Sequence, residues 1–139
     1  MNKKVFVHNY YHNLDAKNRL FIPARFREQL GERLYIMPGP GECLFVYPEE
    51  TFNEIAEEYR QKHRSFEEQD AFFSCVNDTV VDNQGRVTLD ASHVEHAGLK
   101  KEVAIYGSGR RVVIMPLEKF KISQAPTTKA IDFSTDINW

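Results

Sequence analysis

Two short polar segments of the chain place an arginine four residues after an aspartate, and both could do the same chemistry. They are Asp15–Arg19, with the sequence DAKNR, and Asp82–Arg86, with the sequence DNQGR. An aspartate that opens a turn accepts hydrogen bonds from backbone amides two residues on, and asparagine or glycine supplies a left-handed position. We therefore expect two pre-formed turns, each releasing its arginine at a fixed angle.

A guanidinium held in this way is well placed to bind nucleic acid. An arginine can donate two hydrogen bonds to a guanine edge, or it can grip a phosphate. Paired turns would present Arg19 and Arg86 at a defined separation. Spacing alone leaves an alternative open, in which each arginine simply pairs with Asp15 or Asp82 inside the fold. The two roles can coexist.

The turns belong to a longer internal repeat. Residues 14–24 align with residues 81–91 at an offset of 67, with Asp, Arg and Ala identical and the apolar positions kept. The order continues along the chain: residues 30–31 match 97–98, 34–36 match 103–105 after a two-residue gap, 44–48 match 112–116, and Phe52 matches Phe120. An ordered series of this length indicates a duplication.

Each copy is predicted to have the element order β-β-α-β-β. Alternating apolar residues predict eight strands, at residues 5–11, 19–22, 34–37, 44–47, 75–80, 86–89, 103–106 and 112–115. The two short helices have Pro23 at the first helical position and Asp90 as N-cap, and they stop at Gly31 and Gly98. The polar turns lie between the first two strands of each copy.

A charged helix is predicted to connect the copies. Residues 50–64 have apolar side chains at helical spacing and a strongly charged outer face. We expect a first unit at residues 5–50, a connecting helical segment at 51–74, a second unit at 75–120 and a C-terminal tail at 121–139. The tail is expected to be mobile and able to dock, because it alternates apolar residues before its end, at Ile131, Phe133, Ile137 and Trp139.

Charge is unevenly distributed. The net charge of −2 and the pI of about 6.2 are not typical of a nucleic-acid-binding protein. Residues 49–70, however, carry eight acids and three bases, a net −5, so the rest of the chain is +3. This segregation permits a modest basic face.

Three further bases in the first copy are candidate phosphate contacts. Lys17 lies beside the first turn, and Arg25 and Arg27 lie on the first helix, where a simply solvated face is the alternative. The second copy has Ser92 and Val94 at the two helix positions. We therefore expect the N-terminal unit to dominate phosphate neutralisation.

Other classes of site find little support. Cys43 and Cys75 lack C-x-x-C spacing, so neither a disulfide framework nor zinc is indicated. His93 and His96 flank Glu95, but His93 takes the repeat position of the core residue Phe26, so we expect no metal site. Nucleophile-elbow and P-loop patterns are missing from the sequence, so we expect no enzyme and no cofactor. Without a signal peptide or an apolar stretch of about 20 residues, the protein is expected to be cytoplasmic.

The paired turns, each followed by an apolar strand, a short helix and a glycine stop, resemble the MraZ family, whose units belong to the SpoVT/AbrB swapped-hairpin class. Residues 14–30 carry the resemblance most clearly, residues 81–86 and 96–103 support it, and it covers about residues 5–120. The resemblance implies an α+β, mainly β, fold. Two tandem β-β-α-β-β swapped-hairpin units would form a pseudo-symmetric barrel with a connecting helix.

The resemblance also implies a function. It predicts a sequence-specific transcriptional regulator that represses its own division and cell-wall gene cluster. The protein would bind repeated promoter elements in double-stranded DNA as a ring-shaped homo-oligomer associated with the nucleoid, with no membrane and no small-molecule substrate as partner. A second class of function stays open, an oligomeric protein-interaction scaffold without DNA specificity, which the acidic segment and the net charge favour.

Carried over by motif, the DNA-facing residues are Arg19 and Arg86, with Lys17 beside the first. The turn-shaping residues are Asp15, Asn18, Asp82 and Gly85. The chain departs from the family pattern at Asn18, where glycine is usual, at Asp90, where proline is usual, and at residues 112–116, where aromatic residues are usual. With Lys17, Arg25 and Arg27 around it, the first turn is expected to be the better DNA contact, and the second to complete the fold and the ring.

Overall fold

The structure is a computed structural model that describes residues 5–62 and 64–135, without the side chains of residues 125 and 126. Its strands are β1 (Asn9–Asn13), β2 (Arg19–Phe21), β3 (Arg33–Pro38), β4 (Leu44–Pro48), β5 (Asn77–Val80), β6 (Arg86–Thr88), β7 (Glu102–Gly107) and β8 (Val112–Pro116). Its helices are α1 (Ala24–Leu30), α2 (Glu49–Arg60), α3 (Phe66–Ser74), α4 (Ala91–Ala97) and α5 (Leu117–Lys129). The predicted α+β fold class is confirmed.

The two copies exchange strands. Six strands form an antiparallel sheet in the order β1-β7-β8-β4-β3-β5, and β2 and β6 form a separate antiparallel ribbon. β1 of the first copy pairs with β7 of the second, and β5 of the second pairs with β3 of the first. Each copy thus completes its part of the sheet with a strand from the other, as expected of swapped hairpins. In the described part of the chain β1 and β5 are the sheet edges, an arrangement compatible with the pseudo-symmetric barrel.

The strand register follows the sequence repeat. Tyr10 in β1 lies opposite Ile105 in β7. Asn77, the repeat partner of Tyr10, lies opposite Ile36, the repeat partner of Ile105. The two exchanged pairings are therefore equivalent, and the halves are related by a pseudo-two-fold axis.

Side chains alternate across the six-stranded sheet and create two faces. One face joins α1, α4 and the β2–β6 ribbon in the main core, through residues that include Leu34, Ile36, Val103 and Ile105. The other face is covered by α2 and α3 around Tyr47 and Phe52, and by α5 around Ala104 and Met115. The ribbon and the connecting helices consequently lie on opposite sides of the sheet.

The first strand of each copy starts later than predicted. β1 begins at Asn9 because His8, with a φ of 78°, interrupts the extended chain. Phe6 makes only an isolated bridge to Gly109, and its buried side chain enters the core. In the second copy β5 begins at Asn77 because α3 extends to Ser74. The residues before both strands therefore pack as core or helix instead of pairing.

Two helices connect the copies, where one was predicted over residues 50–64. The second of them, α3, starts with a capping box: Ser65 Oγ accepts from the amide of Glu68, and the Glu68 carboxylate accepts from the amide of Ser65. This reciprocal pair satisfies amides that a helix start would leave open. The serine and the glutamate were in the sequence, but the prediction ended its helix at residue 64 and placed no second helix start at Ser65.

The region expected to be a mobile tail begins as a helix. α5 extends to Lys129, so the first part of the predicted C-terminal tail is helical. Ile131 and Phe133 beyond it are exposed, and Ile137 and Trp139 lie outside the described residues. Asp90 caps α4 as predicted, whereas Pro23 is the N-cap of α1 and not its first helical residue.

Candidate nucleic-acid interface

The β2–β6 ribbon carries both turns. At its centre Leu20 lies opposite Val87, and both are buried in the main core. Arg19 lies opposite Thr88, which makes Arg86 its diagonal neighbour, about 7–8 Å away. Because successive side chains of a strand point to opposite faces, the two arginines lie on the outer face of the ribbon.

Asp15 holds the first turn. Its Oδ1 accepts hydrogen bonds from the amides of Lys17, at 2.9 Å, and Arg19, at 2.8 Å. Its Oδ2 accepts a hydrogen bond of 2.7 Å from Nε of Arg19. Asn18 has the expected left-handed backbone, with a φ of 60°. The carboxylate therefore fixes both the path of the turn and the direction of its arginine.

Asp82 builds the second turn in the same way. Its Oδ1 accepts from the amides of Gln84, at 2.8 Å, and Arg86, at 2.9 Å. Its Oδ2 accepts from Nε of Arg86 at 3.2 Å. Gly85 has a φ of 81°. The duplication thus preserves the hydrogen bonding of the turn as well as its sequence.

These hydrogen bonds lower the pKa of both aspartates. The largest cause is the backbone amide of Arg19 for Asp15 and that of Arg86 for Asp82, and partial desolvation opposes it in each case. A carboxylate that accepts several N–H donors holds its charge more firmly. Both turns therefore keep their ionised aspartate at neutral pH.

Pairing with aspartate leaves hydrogen-bond donors of both arginines unused. Each uses Nε, and their side chains are 32% exposed for Arg19 and 27% for Arg86. In the described ranges no hydrogen bond involves the terminal nitrogens of either group. The intramolecular pairing considered as the alternative is thus present, but at the surface, and it orients the guanidinium groups while leaving their Nη donors available.

Comparison with known proteins places this repeat in a family. A family model described as "MraZ protein, putative antitoxin-like" matches residues 5–75 and again residues 72–136. The chain belongs to the MraZ family. The double match coincides with the duplication that the paired turns revealed, so the predicted family is confirmed.

Relatives over most of the chain carry the same family name. Proteins named "Transcriptional regulator MraZ" are 38% identical in Finegoldia magna, 41% in Heliobacterium modesticaldum and 43% in Carboxydothermus hydrogenoformans. The matches cover 84%, 93% and 82% of this chain, and 85%, 99% and 82% of the relatives. These MraZ relatives support a role in transcriptional regulation.

The sequence had suggested that Arg27 lies beside the first turn of this MraZ chain, but the structure places it at the second turn. Its guanidinium carbon lies 5.3 Å from the ring centroid of Phe21. A Cβ atom on Gly85 would lie 2.8 Å from the Phe21 ring and 2.9 Å from Nη1 of Arg27. The antiparallel ribbon causes this arrangement, because it brings the end of β2, and with it the start of α1, next to the start of β6.

The other predicted bases have exposed side chains. Lys17 projects from the first turn, where its amide, but not its ammonium group, is bound to Asp15. Arg25 is exposed in the first turn of α1. The first unit thus supplies bases to both turns, with Lys17 at the first and Arg27 at the second.

The acidic part of the MraZ chain lies away from these bases. The segment 49–70, with its net charge of −5, forms α2 and the first half of α3. Both helices cover the sheet face opposite to the ribbon. The six-stranded sheet therefore separates the acidic surface from the two arginine turns.

Sequence reasoning did not single out Phe21 as a residue of the site. Its ring packs against Arg27 on one side and against His12, with ring centroids 5.0 Å apart. Burial lowers the pKa of His12, which favours the neutral form of its imidazole. One signal was present: the repeat partner of Phe21 is the much smaller Thr88.

His93 occupies a core position, as the repeat predicted. Its side chain is buried, and its Nε2 donates a 2.7 Å hydrogen bond to the carbonyl oxygen of Cys75. Over residues 5–62 and 64–135 no group of three or more histidines, cysteines and acids is arranged to hold a metal ion. None of the helices in these ranges combines the length and the apolar character that crossing a membrane requires.

Proposed function

We propose that the chain is a sequence-specific transcriptional regulator that contacts double-stranded DNA with the outer face of the β2–β6 ribbon. The observation that carries this proposal is the pair of aspartate-held turns, which hold the partly exposed side chains of Arg19 and Arg86 by Nε on the outer face of the ribbon at a fixed spacing. A guanidinium with Nε already engaged can donate two bonds to a guanine edge or to a phosphate.

The nearby bases would neutralise phosphates. Lys17 lies at the first turn, Arg27 lies at the second, and Arg25 is exposed at the start of α1. The guanidinium of Arg27 forms no ion pair with an acid within the described residues and lies between the Phe21 ring and Gly85. Such contacts position a protein on the duplex without reading sequence, and they make binding dependent on salt.

The family resemblance supplies the biological setting of the proposal. We infer that the protein represses its own division and cell-wall gene cluster by binding repeated promoter elements, as a ring-shaped homo-oligomer in the cytoplasm and nucleoid. A chain with few bases per copy gains phosphate affinity when several copies bind adjacent elements together. In this arrangement, each repeated DNA element would be bound by one subunit of the oligomer.

A gel-shift titration with the DNA upstream of the protein's own gene tests the proposal. The double variant Arg19→Ala, Arg86→Ala is expected to weaken specific binding by at least about 30-fold, because each bidentate arginine–guanine pair contributes about 1–3 kcal/mol. Unchanged binding by this variant would rule out the assigned contacts.

A matched control lies on the opposite side of the sheet. Arg60 and Arg110 are also arginines in ion pairs, with Glu57 and Glu58 of α2. The double variant Arg60→Ala, Arg110→Ala removes the same number of guanidinium groups and is expected to bind the duplex as the wild type does. Equal losses in both double variants would indicate a nonspecific charge effect.

A protein-interaction scaffold without DNA specificity is the second candidate. The acidic outer surface of α2 and α3 favours it, since such a surface repels nucleic acid and suits a basic protein partner. It predicts that the protein binds its own upstream duplex no better than an unrelated duplex at any salt concentration. The same gel-shift titration therefore distinguishes the two candidates.

A further inference from the structure

The environments of the two turns differ although their hydrogen bonds are alike. Each turn lies beside the strand and the helix start of the other copy, since the ribbon is antiparallel. The second turn lies under Phe21 and Arg27. By the pseudo-two-fold relation of the halves, the equivalent positions at the first turn belong to their repeat partners, the smaller Thr88, which lies opposite Arg19, and Val94.

The second turn is packed tightly. Gly85 is buried, and a Cβ there would approach both the Phe21 ring and the Arg27 guanidinium to less than 3.0 Å. The first turn has Asn18 at the equivalent position, with the same left-handed backbone and a partly exposed side chain. The size of the covering side chains and the size of the turn residue therefore vary in opposite directions between the copies.

Arg27 is an unusual choice for a residue that only fills space. Its Nε is buried and has no hydrogen-bond partner within the described residues. Buried polar atoms are normally satisfied, so an exception calls for an explanation. The guanidinium carbon lies over the Phe21 ring, 5.3 Å from its centroid, and the Phe21 ring packs in turn against His12 in a tilted arrangement. Phe21 and Arg27 thus lie directly against Gly85, the residue immediately before Arg86.

We propose that Phe21 and Arg27 are positioning residues for Arg86, and that the Arg86 turn consequently reads its half-site more stringently than the Arg19 turn. The inference rests on the proposed DNA-binding function. A recognition group that is held in place cannot shift to accommodate a wrong base, and it loses less freedom when the correct base is bound. The first turn, beside smaller side chains, can adjust and tolerate more bases.

The positioning role is tested on the free protein, without DNA. In the variant Arg27→Met, which keeps an unbranched apolar stem but loses the planar cation, hydrogen exchange at the Gly85 and Arg86 amides is expected to accelerate about tenfold. Relaxation of the Arg86 Nε–H group should show greater motion, while that of Arg19 stays unchanged. Exchange in β7 and β8 reports whether global stability has changed instead.

Val94→Ala is the matched control, because it truncates the repeat partner of Arg27 beside the first turn. It is expected to leave the Asn18 amide and the Arg19 Nε–H group as they are in the wild type. The variant Phe21→Thr gives a second route to the same question, since it makes the second turn resemble the first. Unchanged dynamics at Gly85 and Arg86 in both Arg27→Met and Phe21→Thr would overturn the positioning role.

The difference in stringency is tested with a duplex selected by the wild-type protein from a random pool. Selectivity is the ratio of the dissociation constants for random and selected duplex. Arg19→Ala, which reads only through Arg86, should retain about tenfold more selectivity than Arg86→Ala. Adding Arg27→Met should remove this advantage from Arg19→Ala and leave the selectivity of Arg86→Ala unchanged.

The possible results distinguish a failure of the stringency difference from a failure of the proposed DNA binding. Equal selectivity of Arg19→Ala and Arg86→Ala would overturn the difference in stringency. If the wild-type protein selects no duplex at all, the proposed function fails and the stringency inference fails with it. In that case the exchange and relaxation measurements still decide whether Arg27 and Phe21 position Arg86.

Discussion

Asp15 and Asp82 each bind two amides and the guanidinium Nε of their own turn, so the geometry of the candidate interface depends on two carboxylate charges. Protonation would remove an acceptor and release the arginine. Substitution by asparagine would place an NH₂ group opposite an N–H donor. The charge of the aspartate is thus as much a part of the site as the arginine that it orients.

Acid should loosen both turns together. Because the folded-state pKa of each aspartate is lowered, its contribution to stability is fully present above the unfolded value of about 3.9 and is lost as pH falls through the folded-state value. NMR titration should show the amide signals of Lys17 and Gln84 moving below pH 4, after exposed carboxylates have titrated. The double variant Asp15→Asn, Asp82→Asn should show a weaker dependence of unfolding free energy on pH in this range, and an unchanged dependence would contradict the assignment.

The left-handed residues of the two turns should not be interchangeable. Asn18→Gly is expected to change the unfolding free energy by less than about 1 kcal/mol, because glycine adopts the same backbone. Gly85→Asn is expected to destabilise by about 1–3 kcal/mol, because the new side chain meets Phe21 and Arg27. Urea denaturation measures both changes.

A double-mutant cycle checks the cause of this asymmetry. In the Phe21→Thr background, Gly85→Asn should cost less than in the wild type, because the second turn then has the space of the first. An identical cost in both backgrounds would show that backbone strain, and not the Phe21 ring, makes Gly85 necessary.

At the scale of elements, the sheet divides the molecule into a basic ribbon and acidic helices. The ribbon with α1 and α4 packs on one face of the sheet, and α2 with α3 packs on the other. At 0.15 M ionic strength the Debye length is about 8 Å, slightly less than the roughly 10 Å thickness of one such layer, so the acids act on the ribbon from a distance at which salt already weakens them. An overall net charge of −2 is therefore compatible with a local interface for a polyanion.

Charge changes on the two faces should have different effects on DNA affinity. Lys17→Gln and Arg25→Gln should each weaken binding to all duplexes alike and reduce the slope of log K against log salt by about 1. Glu50→Gln and Glu67→Gln, on α2 and α3, change the net charge by one unit in the opposite direction and should leave that slope unaltered. If the two pairs of variants changed the slope by equal amounts in opposite directions, the effect would be one of net charge and not of a local contact.

Across the whole molecule, the exchanged strands make the two halves one folding unit. β1 and β2 pair with β7 and β6, so most strand partners of the first copy come from the second. The unit boundaries proposed from the sequence, at residues 5–50 and 75–120, therefore describe repeats of sequence. The pairing gives no reason to expect that either stretch is stable by itself.

Neither half should fold as a monomer. A fragment of residues 5–62 lacks the partners of β1 and β2 and would expose Leu20 and Phe26. Circular dichroism and sedimentation should show an unfolded or self-associated chain, and mixing with a fragment of residues 64–139 should restore a cooperative transition. Cooperative unfolding of a monomeric 5–62 fragment would contradict the role given to strand exchange.

The features that could be predicted from the sequence are those made by neighbouring residues. The Asp15 and Asp82 turns, the left-handed Asn18 and Gly85, and the Asp90 cap all depend on contacts within four residues, so local chemistry determines them. The sequence repeat also made the family and the order of the elements predictable, because the same pattern of turn, strand, helix and glycine occurs twice.

Only the tertiary structure decided which turn each base serves. Arg27 is close in sequence to the first turn, but antiparallel pairing of β2 with β6 carries it to the second, across more than fifty residues of chain. Local periodicity contains no information about which of several compatible strands will pair, since that choice depends on the burial of Leu20 and Val87 in a common core. The two arginine turns are equivalent in sequence and in hydrogen bonding, and the packing around them makes them different.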